Sequence, residues 1–275
     1  MAERSVLVTG CSSGIGLGLV QAFRVRGWHV IAGVRDPARA PRELAGTRVI
    51  PLDLEREAQI AEAASQIERL DCLVNNAGYA LTGPFVTYAP EQMRRQLQVN
   101  VVGPALLTQQ LLPALKRASG RVINVSSLAG ETGMPMNAMY CASKHAIEGL
   151  SEALRHELLP HGVQVAMVEP GAFRTRFAGN MQWGARPLPP ESLEAKQLVG
   201  YRAMQSRILA RPGRDPAPVV KAIVRLAEKR SMPLRTRVGS DVRFLKAMRR
   251  WLPEGAVIAL LGAAFRRSMA DRPIP

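Results

Sequence analysis

The sequence predicts an α/β fold in which helices cover both faces of a parallel sheet. Two observations predict it. Short β-branched runs alternate with helical segments over the first two thirds of the chain, and the runs are continuously apolar, as strands buried on both faces are. Parallel strands need crossover connections, which are right-handed, so the units are expected to build a doubly wound sheet.

The elements follow from the local pattern. Residues 55–69, for example, place apolar side chains at helical spacing among charges. Strands are expected at 5–9, 28–34, 47–53, 71–78, 120–127, 162–170 and 234–238. Helices are expected at 14–27, 55–69, 90–98, 100–118, 140–160, 191–210, 217–229 and 241–251. The stretch "GAVIALLGAAF" (255–265) is too short to span a bilayer, and it is expected to cap the core, line a pocket or touch a membrane surface or partner.

Composition indicates a globular protein. Of the 275 residues, 47% are hydrophobic and 21% are charged, which argues against wholesale disorder. Three scattered cysteines are too few for a disulfide framework or a metal cluster, so no metal is expected. The first residues, "MAERSVLVTG", lack the features of a secretory signal, and we therefore expect a cytoplasmic location.

Positive charge is concentrated near the C-terminus. Residues 1–175 hold 17 Lys and Arg against 15 Asp and Glu, whereas residues 176–275 hold 20 against 7. This excess indicates an anionic partner, such as nucleic acid, anionic lipid or a negatively charged substrate, or simply a solvated helical surface. Because zinc-finger spacing and aromatic RNA-binding signatures are missing from the sequence, nucleic acid is not expected.

A glycine-rich turn joins the first strand to the first helix. In "TGCSSGIG" (9–16), glycines allow the backbone to approach a pyrophosphate, which the helix N-terminus then holds. The spacing is G-x₃-G-x-G and differs from the common G-x-G-x-x-G fingerprint, but the strand–turn–helix setting predicts dinucleotide binding. The expected cofactor-binding residues of this turn are Gly10, Ser12, Ser13, Gly14, Ile15 and Gly16.

The end of the second strand predicts the type of dinucleotide. NAD-specific sites usually place an acidic residue there, on the ribose 2′-hydroxyl. In this chain Arg35 follows the strand, and a guanidinium provides bidentate donors for a 2′-phosphate. We therefore expect NADP(H) rather than NAD(H), with Ser12 near the 2′-phosphate, although Asp36 could still reach the ribose. Asp53 is expected near the adenine edge, and Leu54 beside it is a further candidate.

The pentapeptide "YCASK" places Tyr140 and Lys144 one turn apart on the same helical face. Many inert helices carry such a pair, so the spacing alone decides nothing. Together with "TGCSSGIG", "NNAG" (75–78), Asn100, Ser127 and "PGAFRT" (170–175), however, it resembles the short-chain dehydrogenase/reductase family over residues 5–176. The chain is particularly similar to the branch that contains 17-beta-hydroxysteroid and retinol dehydrogenases.

This resemblance implies a Rossmann-type sheet of about seven strands, NAD(P)(H) and interconversion of a carbonyl and an alcohol. It makes Tyr140 the general acid/base, Lys144 its activator and Ser127 the group that positions the carbonyl, while Asn100 supports a water relay to Lys144. Ser127 lies 13 residues before Tyr140, the usual family spacing. The implied cofactor contacts are Asn75, Ala77 and Gly78 behind the adenosine ribose, and Pro170, Gly171, Phe173 and Thr175 toward the nicotinamide.

The chemistry requires a tyrosine whose pKa is shifted. A phenol near pKa 10 is a poor base at neutral pH, and an ammonium one turn away is expected to lower that pKa. Hydride transfer to a carbonyl carbon creates an alkoxide, which the phenol protonates and a serine hydroxyl stabilises. These residue types therefore suit an oxidoreductase.

The substrate is expected to be large and apolar, such as a steroid, a retinoid or a long-chain ketone. Methionine and aromatic side chains are frequent in the segments that should form the pocket. These side chains are Met134, Met136, Phe173, Phe177, Met181, Trp183, Leu188, Tyr201, Met204 and possibly Trp251. Two alternatives stay open: a 3-oxoacyl-thioester reductase, and a non-catalytic dinucleotide sensor.

The whole chain, 1–275, is expected to form one domain. Residues 1–176 would bind the cofactor and catalyse, and residues 177–275 would supply pocket loops, helices and a basic extension. The resemblance implies a homodimer or homotetramer paired through the helices near 100–118 and 140–160. The basic extension could contact an acyl carrier, a CoA ester or an anionic membrane.

Overall fold

A parallel sheet of seven strands forms the centre of the molecule. The computed structural model describes residues 4–173, 177–210 and 215–270. The sheet strands are β1 (Ser5–Thr9), β2 (His29–Val34), β3 (Arg48–Pro51), β4 (Cys72–Asn75), β6 (Arg121–Val125), β7 (Gln164–Pro170) and β9 (Arg235–Val238). Their order is β3-β2-β1-β4-β6-β7-β9, and every pair is parallel. The doubly wound fold predicted from the sequence is confirmed.

The described parts of the chain form nine α-helices around this sheet. They are α1 (Gly14–Val25), α2 (Glu57–Ser65), α3 (Pro90–Leu97), α4 (Gly103–Ala118), α5 (Ala138–Leu158), α6 (Leu193–Ala210), α7 (Ala217–Glu228), α8 (Ser240–Trp251) and α9 (Glu254–Ala270). Helices α1 and α7 pack on one face, whereas α2 and α4 pack on the other. The order of the strands reverses at β1 and β4, since β2 and β3 lie on one side of β1 and the later strands on the other, and this switch point opens a crevice at the carboxyl ends of β1 and β4.

The central strands are mostly apolar because both of their faces are buried. In β1, Val6 and Val8 join the core beneath α1 and α7, while Leu7 between them joins the core beneath α2 and α4. Successive strand residues point to opposite faces, so a strand covered on both sides needs an apolar residue at every position. All three side chains are completely buried.

Three local features differ from the sequence-based expectation. The helices expected at 90–98 and 100–118 are joined by a π-helical turn, Gln98–Val102, instead of a break. A separate parallel pair, β5 (Leu81–Thr82) with β8 (Gln182–Trp183), has strands of two residues, too short to give a pattern. The apolar stretch 255–265 is part of α9, which packs on α6 and α8.

No helix in the described parts of the chain is both long enough and apolar enough to cross a membrane. The apolar stretch in α9 is partly buried: Val257 is buried, but Ile258 and Leu260 are exposed.

A buried ionic network links the sheet edge to α5. Arg235 and Arg237 of β9 lie next to Glu169 of β7, which is fully buried. Arg235 also pairs with Glu148 and Glu152 of α5, and Arg237 also pairs with Glu131. Burial, followed by the charges of the neighbouring carboxylates, raises the pKa of Glu169 to about 8. Glu169 is therefore largely protonated at neutral pH.

We expect the free energy of unfolding to fall as the pH rises from 5 toward 8. Folded Glu169 keeps its proton up to about pH 8, whereas an unfolded glutamate releases it near pH ~4.3. The stabilisation that this proton gives is fully present below the pKa of Glu169 in the unfolded chain. It is lost as the pH rises through the pKa of Glu169 in the folded protein. Urea unfolding across this range should show the decline, and Glu169→Gln should flatten it.

The matched control is Glu228→Gln, which removes an ion pair of partly exposed side chains, Glu228 with Arg26, on the opposite side of the sheet. This substitution should leave the slope of stability against pH unchanged. A wild-type stability that stays constant or rises from pH 5 to 8 would contradict the protonated state of Glu169.

Candidate active site

The glycine turn lies at the carboxyl end of β1, next to the crevice. Gly10 has φ +71°, a left-handed conformation that favours glycine, and a Cβ on Gly16 would stand 2.2 Å from the Gly10 carbonyl oxygen. Ser13 is the N-cap of α1, but its side chain does not bond to the first turn. The first-turn N–H groups of α1 therefore keep the arrangement that binds phosphate.

Asn76 and Thr9 hold the glycine turn against the "NNAG" turn. Asn76 Nδ2 donates to the Thr9 carbonyl at 2.8 Å, and the backbone N–H groups of Asn76 and Ala77 donate to Thr9 Oγ1 at 3.0 and 2.9 Å. Sequence reasoning did not single out either residue. The signal available was the second asparagine of "NNAG", placed just beyond the end of a strand beside β1.

The side chain of Asn75 lies within the protein. Its Nδ2 donates to Asn124 Oδ1 at 2.8 Å and to Thr108 Oγ1 at 3.1 Å, and Asn124 in turn donates to Ser151. This buried chain joins β4, β6, α4 and α5. Any contact of Asn75 with the ribose would have to come from its backbone.

Gly78 is the last residue of the "NNAG" turn and faces Lys144 of α5. A Cβ at this position would be 3.1 Å from Asn100 Oδ1 and 3.8 Å from Lys144 Nζ. The 3.1 Å contact is tighter than ordinary packing, so a larger residue would crowd the tyrosine–lysine helix.

The residues after β2 show how a 2′-phosphate could be recognised. Arg35 is exposed and forms no ion pair with any residue that the structure describes. Asp36 accepts a hydrogen bond from the Ala38 N–H at 3.0 Å and pairs with Arg39 at 3.4 Å. These partners occupy the carboxylate that could otherwise reach a ribose hydroxyl.

Asp53 and Leu54 follow β3 at the same edge of the sheet. Asp53 Oδ1 accepts a hydrogen bond from the Glu55 N–H, and its backbone N–H donates to Gln59. Leu54 is buried, and its carbonyl accepts from Gln98. Asp53 remains part-exposed, as a residue at the edge of an adenine site would be.

Tyr140, Lys144 and Ser127 come together at the carboxyl end of β6. Tyr140 and Lys144 are both buried on α5, with the Lys144 ammonium 5.8 Å from the centroid of the tyrosine ring. Lys144 Nζ also donates to the Val125 carbonyl at 2.9 Å. Ser127 caps the short helix that follows β6, and its side chain hydrogen-bonds with Tyr140. The tyrosine–lysine face of α5 therefore points inward.

Asn100 lies in the π-helical turn and is almost fully buried. Its Nδ2 donates to the Tyr79 carbonyl at 2.9 Å and to Ser143 Oγ at 3.0 Å, while its Oδ1 accepts from the Tyr79 N–H. The side chain thus joins the segment after "NNAG" to α5. The water relay to Lys144 that the resemblance implies for Asn100 stays a prediction.

Burial opposes the expected shift of the tyrosine pKa. It raises the pKa of Tyr140 to about 12, against a smaller lowering by the Ser127 hydrogen bond. It lowers the pKa of Lys144 to about 8, with Glu148 acting in the opposite sense. The expectation that Lys144 makes the phenol acidic is therefore wrong for the protein alone. At neutral pH the pair consists of a neutral phenol and a mostly charged ammonium.

An apolar wall covers Tyr140. Phe177, Met134 and Met181 pack against the small cluster that contains Tyr140, and the Phe177 ring is 5.6 Å from the Tyr140 ring. The β5–β8 pair holds this wall in place, since the Gln182 N–H donates to Ala80 O at 2.9 Å. Three of the side chains expected to line a pocket thus lie at the tyrosine.

Helix α6 is fixed to the same wall by polar contacts. Tyr201 is buried, and its hydroxyl accepts from Asn137 Nδ2 at 2.9 Å. Asn137 in turn accepts from Thr82 at 3.1 Å, and the Trp183 ring is 6.3 Å from that of Tyr201. The sequence pattern identified Tyr201 and Trp183 but not Asn137, which precedes α5.

The residues predicted to contact the nicotinamide, and Trp251 of the predicted substrate pocket, are not part of this apolar wall or lie outside the described residues. Pro170 ends β7, and Gly171 and Ala172 lie against Asp241 of α8, whose Oδ2 accepts from the Ala172 N–H at 2.6 Å. Phe173 packs against the core beneath α1 and α7. Thr175 lies outside the described residues. Trp251 is 78% exposed on α8, so its assignment to the pocket is wrong.

Comparison with known proteins agrees with this geometry. The family model for short chain dehydrogenases matches residues 4–184. The chain belongs to the short-chain dehydrogenase family. It is 32% identical over 261 residues to a 3-ketodihydrosphingosine reductase of Bacteroides thetaiotaomicron, with 92% of this chain and 95% of the relative covered. It is also 32% identical over 297 residues to human 17-beta-hydroxysteroid dehydrogenase type 1, covering 99% and 88% of the two chains.

This chain is also similar to a protein of known structure. A short chain dehydrogenase from Burkholderia cenocepacia in complex with NADP has 27% identity and a TM-score of 0.77, with 94% of this chain and 97% of that chain covered. As a short-chain dehydrogenase, the protein is an oxidoreductase that acts on CH–OH groups with NAD(P). The tight glycine turn, the first turn of α1 and Arg35 fit a phosphate-bearing dinucleotide.

We expect Gly16→Ala to weaken the binding of NADPH. The added methyl would overlap the Gly10 carbonyl and Asn76 Nδ2, so the turn has to shift. Overpacking of this kind costs about 1–3 kcal/mol, which corresponds to a rise of roughly 5-fold to 150-fold in the dissociation constant. Fluorescence titration with NADPH measures this dissociation constant.

Gly149→Ala in α5 is the matched control, because a Cβ at that helical position meets nothing within 4 Å. It should leave the dissociation constant unchanged and stabilise the helix slightly. Equal affinities of the Gly16 variant and the wild type would show that the turn does not hold the phosphates.

Proposed function

We propose that the protein is an NADP(H)-dependent reductase that converts a ketone or aldehyde of a large hydrophobic substrate into an alcohol. The observation that carries the proposal is the apolar wall on Tyr140, formed by Met134, Phe177 and Met181. A carbonyl that reaches the Tyr140 hydroxyl has to pass these side chains, and methionine adapts its shape to irregular apolar ligands.

The preference for NADP(H) rests on the segment after β2. Arg35 is exposed and has no ion-pair partner among the described residues, so its guanidinium is available to a 2′-phosphate. Asp36 is held by Arg39 and by the Ala38 N–H. The Burkholderia structure, which was solved with NADP, supports the same preference.

The proposed mechanism assigns one task to each polar side chain. When bound, the nicotinamide supplies the hydride. Ser127 donates a hydrogen bond to the carbonyl oxygen, and Tyr140 transfers its phenolic proton to that oxygen as charge develops. The raised pKa of Tyr140, about 12, keeps the phenol protonated at neutral pH, which suits reduction. Lys144 stabilises the phenolate that remains after the proton has left.

Among hydrophobic substrates we favour a long-chain ketone. The name of the Bacteroides relative refers to a ketone of this class, and that of the human relative to a steroid. A 3-oxoacyl thioester is the second candidate, favoured by the excess of positive charge in residues 176–275, which could attract an acyl carrier or a CoA ester. The third candidate, a non-catalytic sensor, is opposed by the presence of both Tyr140 and Lys144.

The direct test is NADPH oxidation at 340 nm with a panel of long-chain ketones, steroid ketones, retinal and 3-oxoacyl-CoA esters. We expect the fastest turnover with a long-chain ketone. Tyr140→Phe should lower kcat by about 100-fold to 10,000-fold, since it removes the general acid, but should leave NADPH binding intact. Faster turnover of the thioester would favour the second candidate, and silence across the panel with intact NADPH binding would favour the sensor.

Arg35→Ser should reduce the preference for NADPH. Losing hydrogen bonds to a charged phosphate costs about 1.5–3 kcal/mol, so KM for NADPH should rise by roughly tenfold or more while KM for NADH stays constant. Arg42→Ser is the control, because Arg42 is an exposed arginine farther along the same connection. A wild-type enzyme that prefers NADH would reject the assignment of Arg35.

We also propose that the protein acts in a reducing, cytoplasmic setting as a homodimer or homotetramer. All three cysteines are buried free thiols, as is usual for proteins of reducing compartments. Leu97 and Val102 are exposed apolar side chains next to α4, a helix through which copies could pair.

A further inference from the structure

Helix α8 presents an apolar stripe and a basic stripe side by side. Phe244 and Trp251 are 67% and 78% exposed, and residues seven apart return to the same face of a helix. Arg243 and Arg250 have the same spacing and are also exposed. The opposite face of α8 packs against the protein, and its side chains Val242 and Leu245 are buried there. The two stripes are referred to below as the α8 surface.

The basic stripe borders an open groove of about 360 Å³. The groove is lined by Arg237, Arg243, Lys246, Ala247, Arg250 and Trp251, and no carboxylate of the described chain lines it. Arg237 is paired with Glu131 and Glu169. Arg243, Lys246 and Arg250, by contrast, form no ion pair within the described residues, so their charges face the solvent.

The apolar stripe limits the kind of partner. Leu252, which follows Trp251, is 38% exposed and extends the stripe beyond the end of α8. Duplex nucleic acid or a small phosphate would bind the basic stripe but would gain little from exposed phenylalanine, tryptophan and leucine side chains. An anionic bilayer uses both stripes, because acidic headgroups attract Lys and Arg while aromatic rings lie at the headgroup level.

We propose that the α8 surface binds the protein to the surface of an anionic lipid bilayer. Helix α8 has 12 residues, too few to cross the hydrocarbon core, so it lies in the plane of the interface. Phe244 and Trp251 enter the headgroup region, and Arg243, Lys246 and Arg250 pair with lipid phosphates. This interaction does not depend on the identity of the substrate proposed above.

The test is co-sedimentation of the full-length protein with two kinds of vesicle, phosphatidylcholine alone and phosphatidylcholine mixed with phosphatidylglycerol. We expect binding to the mixed vesicles only. Arg243→Gln combined with Arg250→Gln should weaken it by about fivefold per removed charge, or about 25-fold. Phe244→Ser combined with Trp251→Ser should weaken it by about tenfold or more, since burial of aromatic area is lost.

Matched controls come from other exposed helices. Lys221→Gln combined with Arg225→Gln removes two exposed charges, one turn apart, from α7. Val25→Ser removes an apolar side chain that is 89% exposed at the end of α1. Both controls should bind vesicles as the wild type does, and thermal melting should show that every variant is folded.

Four results would overturn the proposal. They are no binding of the wild type to the mixed vesicles at physiological salt, equal binding to both kinds of vesicle, equal loss in the α7 control, and full binding after the Phe244 and Trp251 substitutions. The last result, together with loss in the arginine variant, would instead indicate a purely electrostatic partner such as nucleic acid or an acidic protein.

Discussion

The buried ammonium of Lys144 is the constraint on which much of this structure depends. A charge out of water needs compensation, and Lys144 receives it from the Val125 carbonyl and from Glu148, one turn further along α5. Glu148 is itself buried and is held by Arg235 of the edge strand β9, which also contacts Glu169. Arg235 lies in an edge strand that is only partly buried, and its positive charge lets α5 carry Glu148 inward.

At the predicted dinucleotide site the main constraint is different: the backbones of the glycine turn and the "NNAG" turn approach each other closely. Thr9 and Asn76 join two turns that belong to neighbouring strands, and the glycines between them leave no volume for a side chain. Such a site recognises phosphates through N–H groups and a helix N-terminus, with few side-chain contacts. In the NADP(H) site proposed above Arg35 is the exception, because its guanidinium offers paired donors to a 2′-phosphate.

The C-terminal hundred residues perform two separate tasks. The segment from Phe177 to Trp183 and helix α6 close an apolar wall over Tyr140, held by the short β5–β8 pair and by the hydroxyl of Tyr201. Helix α8 follows β9, contacts the loop after β7 through Asp241, and turns an aromatic and basic surface outward. The side chains that pack against the Tyr140 cluster are apolar, whereas Trp183 is contacted by a positive charge, the Arg202 guanidinium 4.7 Å from its ring centroid.

The sequence by itself determined the order of strands and helices, the glycine turn and the tyrosine–lysine pair, because periodicity and motif spacing are local. The start and end of β1, for instance, agree with the apolar run at 5–9. Only the tertiary structure decided the direction of the Asn75 amide, the sign of the Tyr140 pKa shift and the exposure of Trp251. Each of these depends on which distant segments exclude water from a side chain, and burial of that kind is a property of packing between elements that no local pattern contains.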